Sequence, residues 1–366
     1  EVNAREGTSP EQVIVDVDVE EQPTGSLGFG LNFSAEQGVG FAVTFAETNF
    51  LGRGQTFNLS ADAGSENTNV GLTFVEPFFL NRDLAFSLSV RFNETDDDDL
   101  TFETQTIAFR PGLEFPVGEF SRLGVFYSFS IDDLQPSDVD DLSAILLDDL
   151  GDEITSSVGY AFSYNTIGRG LDPSKGVQFR FSQEVAGIGG DSNFLKTTGL
   201  IRGQQAVLGE EVVLSAAVEG GALVSFGNEN SLQANRFVNT PRLIRGFETA
   251  GIGPRDLVAE DDALGGNLFF GARFEAQFPI PVIPDQYGIS GAAFVDLASV
   301  WSLDDTDGGP DGLSPVDDDF FLNSAVGFGI LWDTAIGPLR FNFTEAINSQ
   351  SFDEEQVFDL TIETRF

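Results

Sequence analysis

Large apolar residues alternate with small or polar ones along most of the chain, and a period of two admits β-strands and little else. Val39, Phe41, Val43 and Phe45 alternate with Gly40, Ala42, Thr44 and Ala46. Leu84, Phe86, Leu88, Val90 and Phe92 alternate with Ala85, Ser87, Ser89 and Arg91, and Val326, Phe328, Ile330 and Trp332 with Gly327, Gly329 and Leu331. Sixteen segments read this way, near 25–34, 39–48, 55–64, 68–77, 83–95, 100–111, 120–132, 156–165, 175–186, 192–206, 209–225, 265–278, 286–301, 322–332, 338–348 and 355–366. Segment 100–111 is out of phase, with Ile107 and Phe109 on its polar side, which predicts a bulge or a register change there.

Alternation alone leaves two solutions. In a soluble sandwich the apolar faces meet in a core and the polar faces meet water. In a membrane barrel the apolar faces meet lipid and the polar faces line a lumen. Most of the segments have about ten residues, the length a tilted strand needs to cross a bilayer, and no apolar run approaches the ~18 residues of a membrane helix. The strand number is even, as in most single-chain bacterial barrels. The connections also sort by end. One set is short and holds most of the turn cations: 49–54 with Arg53, 78–83 with Arg82, 167–176 with Arg169 and Lys175, and 334–340 with Arg340. The other is longer and acidic: 96–99, 132–155, 226–264 and 304–319, with nine acids and no base in 132–153 and seven and none in 304–319. Short turns on one rim and long loops on the other are expected of an outer-membrane barrel. The expected fold is therefore all-β, a 16-stranded antiparallel transmembrane barrel. Within its loops, 142–151 reads as a short amphipathic helix.

Composition excludes much chemistry. The chain has 59 acidic and 18 basic residues, a formal charge of −41, and neither Cys nor His. Nucleic-acid binding needs a basic footprint that this chain lacks. A Cys/His zinc site, a Cys nucleophile and a Ser-His-Asp triad are impossible. No catalytic residue, metal or cofactor is expected. The stretch 304–312 has a calcium-loop flavour, but the twelfth position counted from Asp305 is Val316 where an EF-hand needs Glu, so a solvated acidic loop is expected. Glycine clusters at 25–30 and 327–329 lie inside strands without a following helix and are not nucleotide loops.

One stretch stands apart. Residues 239–247, Asn-Thr-Pro-Arg-Leu-Ile-Arg-Gly-Phe, form a basic patch inside an acidic loop of about forty residues, and a loop that long is usually functional or disordered. Glu275 and Asp296 fall on the polar faces of the next two strands. A charge inside a barrel needs a partner. Either the loop folds into the lumen and Arg245 pairs with Glu275 and Asp296, or it is a mobile surface loop. Ahead of the barrel, Val13, Val15, Val17 and Val19 form one strand of something else, and a lone strand is not a stable domain.

Ile244-Arg245-Gly246-Phe247 resembles the [VI]RG[FY] motif of the lumen-directed loop in the BamA family of outer-membrane barrel-assembly insertases, the POTRA-plus-barrel superfamily. Further matches follow in the same order. Val19-Glu20-Glu21-Gln22-Pro23-Thr24-Gly25 resembles the junction from the last POTRA domain into the first strand. Asn49-Phe50-Leu51-Gly52-Arg53-Gly54-Gln55 and Glu76-Pro77-Phe78-Phe79-Leu80 resemble periplasmic turns, and Gly265-Gly266-Asn267, Phe294-Val295-Asp296 and Gly337-Pro338-Leu339-Arg340-Phe341 later strands. The resemblance implies a truncated last POTRA domain over 1–23 and a transmembrane barrel over 24–366. It implies a factor that folds and inserts β-barrel proteins through a lateral seam between first and last strands, with Gly25, Gly28 and Gly30 on one side and Phe358, Leu360, Ile362 and Phe366 on the other. Glu275 and Asp296 become the wall partners of Arg245. The implied partners are unfolded outer-membrane proteins, accessory assembly lipoproteins, and outer-membrane lipid with lipopolysaccharide, on a barrel whose POTRA side faces the periplasm. A TamA-like or two-partner secretion barrel shares the loop motif, and a passive porin is a further alternative.

Overall fold

The computed structural model describes residues 2–6, 13–17, 19, 23–34, 38–65, 67–96, 102–136, 142–168, 175–209, 211–227, 229–259, 262–334 and 337–362. All sixteen expected strands are present: β1 Gly25–Ser34, β2 Gly38–Phe50, β3 Gln55–Ala63, β4 Asn67–Glu76, β5 Ala85–Thr95, β6 Phe102–Gly118, β7 Ser121–Pro136, β8 Gly151–Asn165, β9 Gly176–Gly190, β10 Phe194–Val207, β11 Val212–Ser225, β12 Leu268–Pro279, β13 Ile289–Trp301, β14 Asn323–Thr334, β15 Gly337–Asn348 and β16 Phe358–Ile362. They form one antiparallel sheet in sequence order. Its terminal strands, β1 and β16, approach within 8 Å (Cα–Cα), so the sheet curls back on itself. Among the described residues, the short strands Val2–Glu6 and Val13–Val17 pair only with each other and stand outside this sheet. No helix of the described residues is long and apolar enough to cross a membrane, which says nothing of strands.

The register sets the apolar faces side by side. Val90 faces Phe109, which faces Phe129; Phe162 faces Phe181; Phe328 faces Phe343, which faces Phe358. Val90, Phe109, Phe328, Phe343 and Phe358 are exposed, with Phe328 at 57% and Phe41 at 49%, and Phe129, Phe162 and Phe181 are half-buried between their neighbours, so the aromatic face points outward as a belt. A soluble protein does not leave such a continuous apolar surface in water. The expected irregularity at 107–109 is absent. β5 and β6 pair without a shift from Ala85 with Glu114 to Thr95 with Thr104, and Ile107 and Phe109 point outward with the belt. The phase confusion comes from Phe102, which points inward and is buried under the loops. The shift in β6 instead falls between Pro116 and Gly118, beside its turn.

The two rims differ, though not uniformly. Short connections such as 64–66 and 191–193 share the rim of the long loops. There the expected helix shrinks to one turn, α1 (Ala144–Leu147), opened by Ser143, whose Oγ accepts from the Ile145 N–H at 3.4 Å. Leu142, Ile145 and Leu146 pack with Phe102, Leu134, Leu264 and Val316 in a cap over that end. Several acids of these loops accept backbone N–H groups: Asp262 from Ser143 at 2.6 Å, Asp256 from Gly309 at 2.6 Å, Asp149 from Gln233 at 2.9 Å and Asp304 from Ser231 at 2.8 Å. Part of the negative charge thus does the work of hydrogen-bonding irregular backbone that no ladder serves.

Candidate functional site

The long loop between β11 and β12 folds inward. Pro241 starts a turn in which the Leu243 N–H donates to the Thr240 carbonyl at 2.8 Å, with proline at its favoured second position. Asn239, fully buried, ties the next turn: its Nδ2 donates to the Glu248 carbonyl at 2.8 Å and its Oδ1 accepts from the Ile252 N–H at 2.9 Å. Between these staples, Leu243, Ile244, Phe247 and Ile252 pack against Ala298, Val300 and Ala325 of the wall. Ile244 and Phe247 are fully buried.

Arg245 points from this cluster to the wall. Its Nε and Nη2 donate to the two carboxylate oxygens of Asp296 at 2.6 and 2.8 Å, and its backbone N–H donates to Asp296 at 3.2 Å. Nη1 donates to Glu275 Oε2 at 2.5 Å. The guanidinium carbon lies 3.5 Å from the centroid of the Phe294 ring, so one face of the cation rests on an aromatic quadrupole. Asp296 has no solvent exposure. Desolvating such a carboxylate costs several kcal/mol, which only a forked, charge-assisted partner offsets. Arg supplies that planar fork and Lys does not.

Gly246 is required twice over. Its φ is +89°, and a Cβ there would lie 2.4 Å from Thr344 Cγ2 and 3.3 Å from Ala325 Cβ. The loop backbone therefore touches β14 and β15 where only glycine fits.

Sequence reasoning missed three further cations. Arg340, grouped above with turn cations, lies in β15 with its side chain on Glu275: Nη2 donates to Oε2 at 2.6 Å and Nη1 to Oε1 at 3.2 Å. Glu275 thus serves two arginines. Arg236 is buried under the cap, where it donates from Nε to Ser231 Oγ at 3.1 Å and from Nη1 to the Leu264 carbonyl at 3.3 Å, 3.5 Å from Asp149. Burial there pushes the Asp149 carboxyl up to about 6 against the pull of Arg236. Arg255 joins Glu354 at 2.5 Å and the Ala250 carbonyl at 2.8 Å. The available signal was scarcity: a cation in so acidic a loop is there to be paired.

At the seam, the described residues of β16 pair with β15 over five positions, from Leu339 with Ile362 to Phe343 with Phe358. Leu360 faces Phe341 in that ladder. Among the described residues, β16 forms no ladder with β1. On the other side Gly25, Gly28 and Gly30 lie in β1, paired with Glu47, Thr44 and Ala42 of β2. Phe366 lies outside the described residues. No group of three or more metal-capable side chains occurs among the described residues.

Comparison with known proteins places this architecture. The sequence profile of the Omp85 superfamily domain matches residues 49–366. The chain is 28% identical over 339 residues to the outer membrane protein assembly factor BamA of Neorickettsia risticii, covering 92% of this chain and 44% of that protein. With BamA of Nitratidesulfovibrio vulgaris it shares 27% over 337 residues, 91% of this chain and 40% of that protein. With the human sorting and assembly machinery component 50 homolog it shares 32% over 140 residues, 38% of this chain and 29% of that protein. The chain spans less than half the length of these curated relatives. In fold it resembles the crystal structure of Haemophilus ducreyi BamA lacking POTRA domains 1–3, with a TM-score of 0.80 at 21% identity, covering 99% of this chain and 74% of that one. A sixteen-stranded sheet with an outward aromatic belt, an arginine-anchored lumen loop and this sequence profile belong together: the chain is a member of the Omp85 superfamily.

Proposed function

We propose that this barrel is the membrane part of an outer-membrane protein assembly factor, which folds and inserts other β-barrels through the seam between β1 and β16. The observation that carries the reading is the pair of sheet ends, which lie within 8 Å of each other without a ladder among the described residues. Unpaired strand edges are templates for strand addition, and main-chain hydrogen bonds supply the affinity. Among the described residues no ladder joins the two edges, so parting the seam breaks none of their main-chain hydrogen bonds. Glycines in β1 weaken and bend the other edge. The work is exchange of hydrogen bonds between strands, so no covalent step and no catalytic side chain is invoked.

The relatives named as BamA match over nine-tenths of this chain, which favours assembly over a secretion role. The barrel also resembles the solved structure of CdiB from Acinetobacter baumannii, at a TM-score of 0.56 and 11% identity, the weaker likeness. The implied setting is the outer membrane, with the belt in lipid and the acidic rim facing lipopolysaccharide. Unfolded barrel proteins are the substrates and accessory lipoproteins the partners. Residues 1–23 are read as the end of a last POTRA domain on the periplasmic side. Reconstitution tests this: liposomes carrying the protein should accelerate folding of a substrate barrel, and a seam closed by a covalent cross-link should not.

A further inference from the structure

Among the described residues β16 has one unladdered edge and a five-residue ladder on the other, yet it must stay in place each time the seam parts. Two groups of contacts hold it, and both lead to the lumen loop. The first lies just ahead of β16. Phe247 and Glu355 form an isolated antiparallel bridge, with the Glu248 N–H donating to the Glu354 carbonyl at 3.0 Å and the Gln356 N–H to the Gly246 carbonyl at 3.0 Å. The Glu354 N–H donates in turn to the Gly251 carbonyl at 2.9 Å, and the Glu354 carboxylate takes Arg255.

The second group crosses the wall. Glu275, already held by Arg245, accepts Arg340. Arg340 Nε donates to Asn342 Oδ1 at 2.9 Å, and Asn342 Nδ2 donates to Asp359 Oδ2 at 3.1 Å. Asn342 and Asp359 are direct partners in the β15–β16 ladder. The relay therefore runs Asp296, Arg245, Glu275, Arg340, Asn342, Asp359, from β13 through the loop to the last strand. Arg340 reaches from β15 to β12 past two intervening strands. Gly329 keeps the wall low along that reach, since a Cβ there would stand 3.1 Å from Asn342 Oδ1 and 3.5 Å from Ala292 Cβ.

We infer that the lumen loop is a clamp on the last strand, and that Arg340 is the positioning residue that carries its hold across the wall to β16. The inference deepens the seam reading above and rests on it for its functional meaning, though the clamp itself can be measured without any substrate. The chemistry suits the role. A guanidinium can fork onto Glu275 and still offer Nε to Asn342, which a lysine ammonium on a flexible stem does not reproduce. The clamp also differs from the docking of the loop. Without Arg340, Arg245 keeps its fork on Asp296, so the loop stays while β16 loosens.

Amide hydrogen exchange on the protein in lipid nanodiscs separates these cases. Arg340→Gln should raise exchange across 358–362 by about tenfold or more, the effect of losing one charge-assisted contact from a local opening equilibrium, while 239–252, the bridged residues 354–356 and β12 stay at parental rates. Arg340→Lys should restore only part of the protection. Unchanged exchange at 358–362 in a folded Arg340→Gln barrel overturns the inference. So does equal loosening of 239–252, because Arg340 would then be general lumen packing. The second arm exploits the absence of native cysteine. Phe247 and Glu355 occupy a non-hydrogen-bonded antiparallel pair, where Cα atoms stand about 4.5 Å apart, within disulfide range. In the Phe247→Cys, Glu355→Cys protein, oxidation should slow exchange at 358–362 relative to the same protein reduced, with or without Arg340→Gln. No difference between oxidised and reduced forms refutes the clamp. A clamp that passes both arms while Arg340→Gln leaves substrate insertion at parental rate would stand, and the seam reading would fall.

Discussion

Replacing Gly246 with Ala is a sharp perturbation of the loop, because two independent penalties meet at one atom. The backbone is left-handed at φ +89°, which costs an L-residue about 1–2 kcal/mol. The new Cβ would also lie 2.4 Å from Thr344 Cγ2 on β15, and forcing a methyl into a packed contact costs about 1–3 kcal/mol. Together these give about 2–5 kcal/mol, or roughly thirtyfold to a few thousandfold in the ratio of docked to undocked loop. Limited proteolysis of 239–256 reads that ratio directly, since the docked segment is buried. Gly52→Ala is the control. Its φ is +71° with nothing within 4 Å, so it carries the conformational penalty alone, and it lies in the β2–β3 turn, away from the loop. Gly246→Ala should open the loop to protease while Gly52→Ala leaves it closed. Parental protection in Gly246→Ala would refute the argument that the loop backbone rests against β15.

Three further outcomes follow from the same geometry. Arg245→Ala leaves the fully buried Asp296 carboxylate without its fork, a loss of about 3–5 kcal/mol, visible as a lower thermal midpoint of heat-modifiable gel mobility, with Arg245→Lys intermediate. Phe328→Arg, in mid-strand on the aromatic belt, should slow or block folding into vesicles at a cost of about 2–4 kcal/mol, where a soluble sandwich would gain solubility from it. Asp149 binds its proton more tightly in the folded cap than in an unfolded chain, where its value is 3.8. Native protein thus holds more protons between 3.8 and about 6, and the stability of the α1 cap should fall as pH rises through that window. Exchange at 142–150 measures this, and Asp149→Asn should flatten the dependence.

The barrel was legible because a two-residue period survives in every strand, and outward positions need only be large and apolar. The inward side was less legible. Phase tells that two residues share a face but not which face is out, so Phe102, a lumen residue under the loop cap, disturbed the reading of its strand and suggested a bulge that does not exist. Helical pattern over 142–151 became one turn, since the cap buries Leu142, Ile145 and Leu146 and gives the rest to irregular backbone held by acids. Arg245, Glu275 and Asp296 could be paired as one of two readings, because the two acids fall on the polar faces of their strands and Arg245 lies in a basic patch of an otherwise acidic loop. Arg340 could not, because it counts among the turn cations at the start of its strand and its reach to Glu275 depends on the curvature of the wall. Arg236 and Arg255 were hidden by the length of the loop, which gives no register from which to derive a partner.

The central claim is that the working edge is the seam between β1 and β16. A scan of cysteine pairs across 25–34 and 358–362, in a chain with no other cysteine, tests it most directly when oxidised and reduced protein are compared in one insertion assay. Oxidation should stop insertion of substrate barrels, and reduction should restore it. Parental insertion with a fully cross-linked seam would contradict the claim.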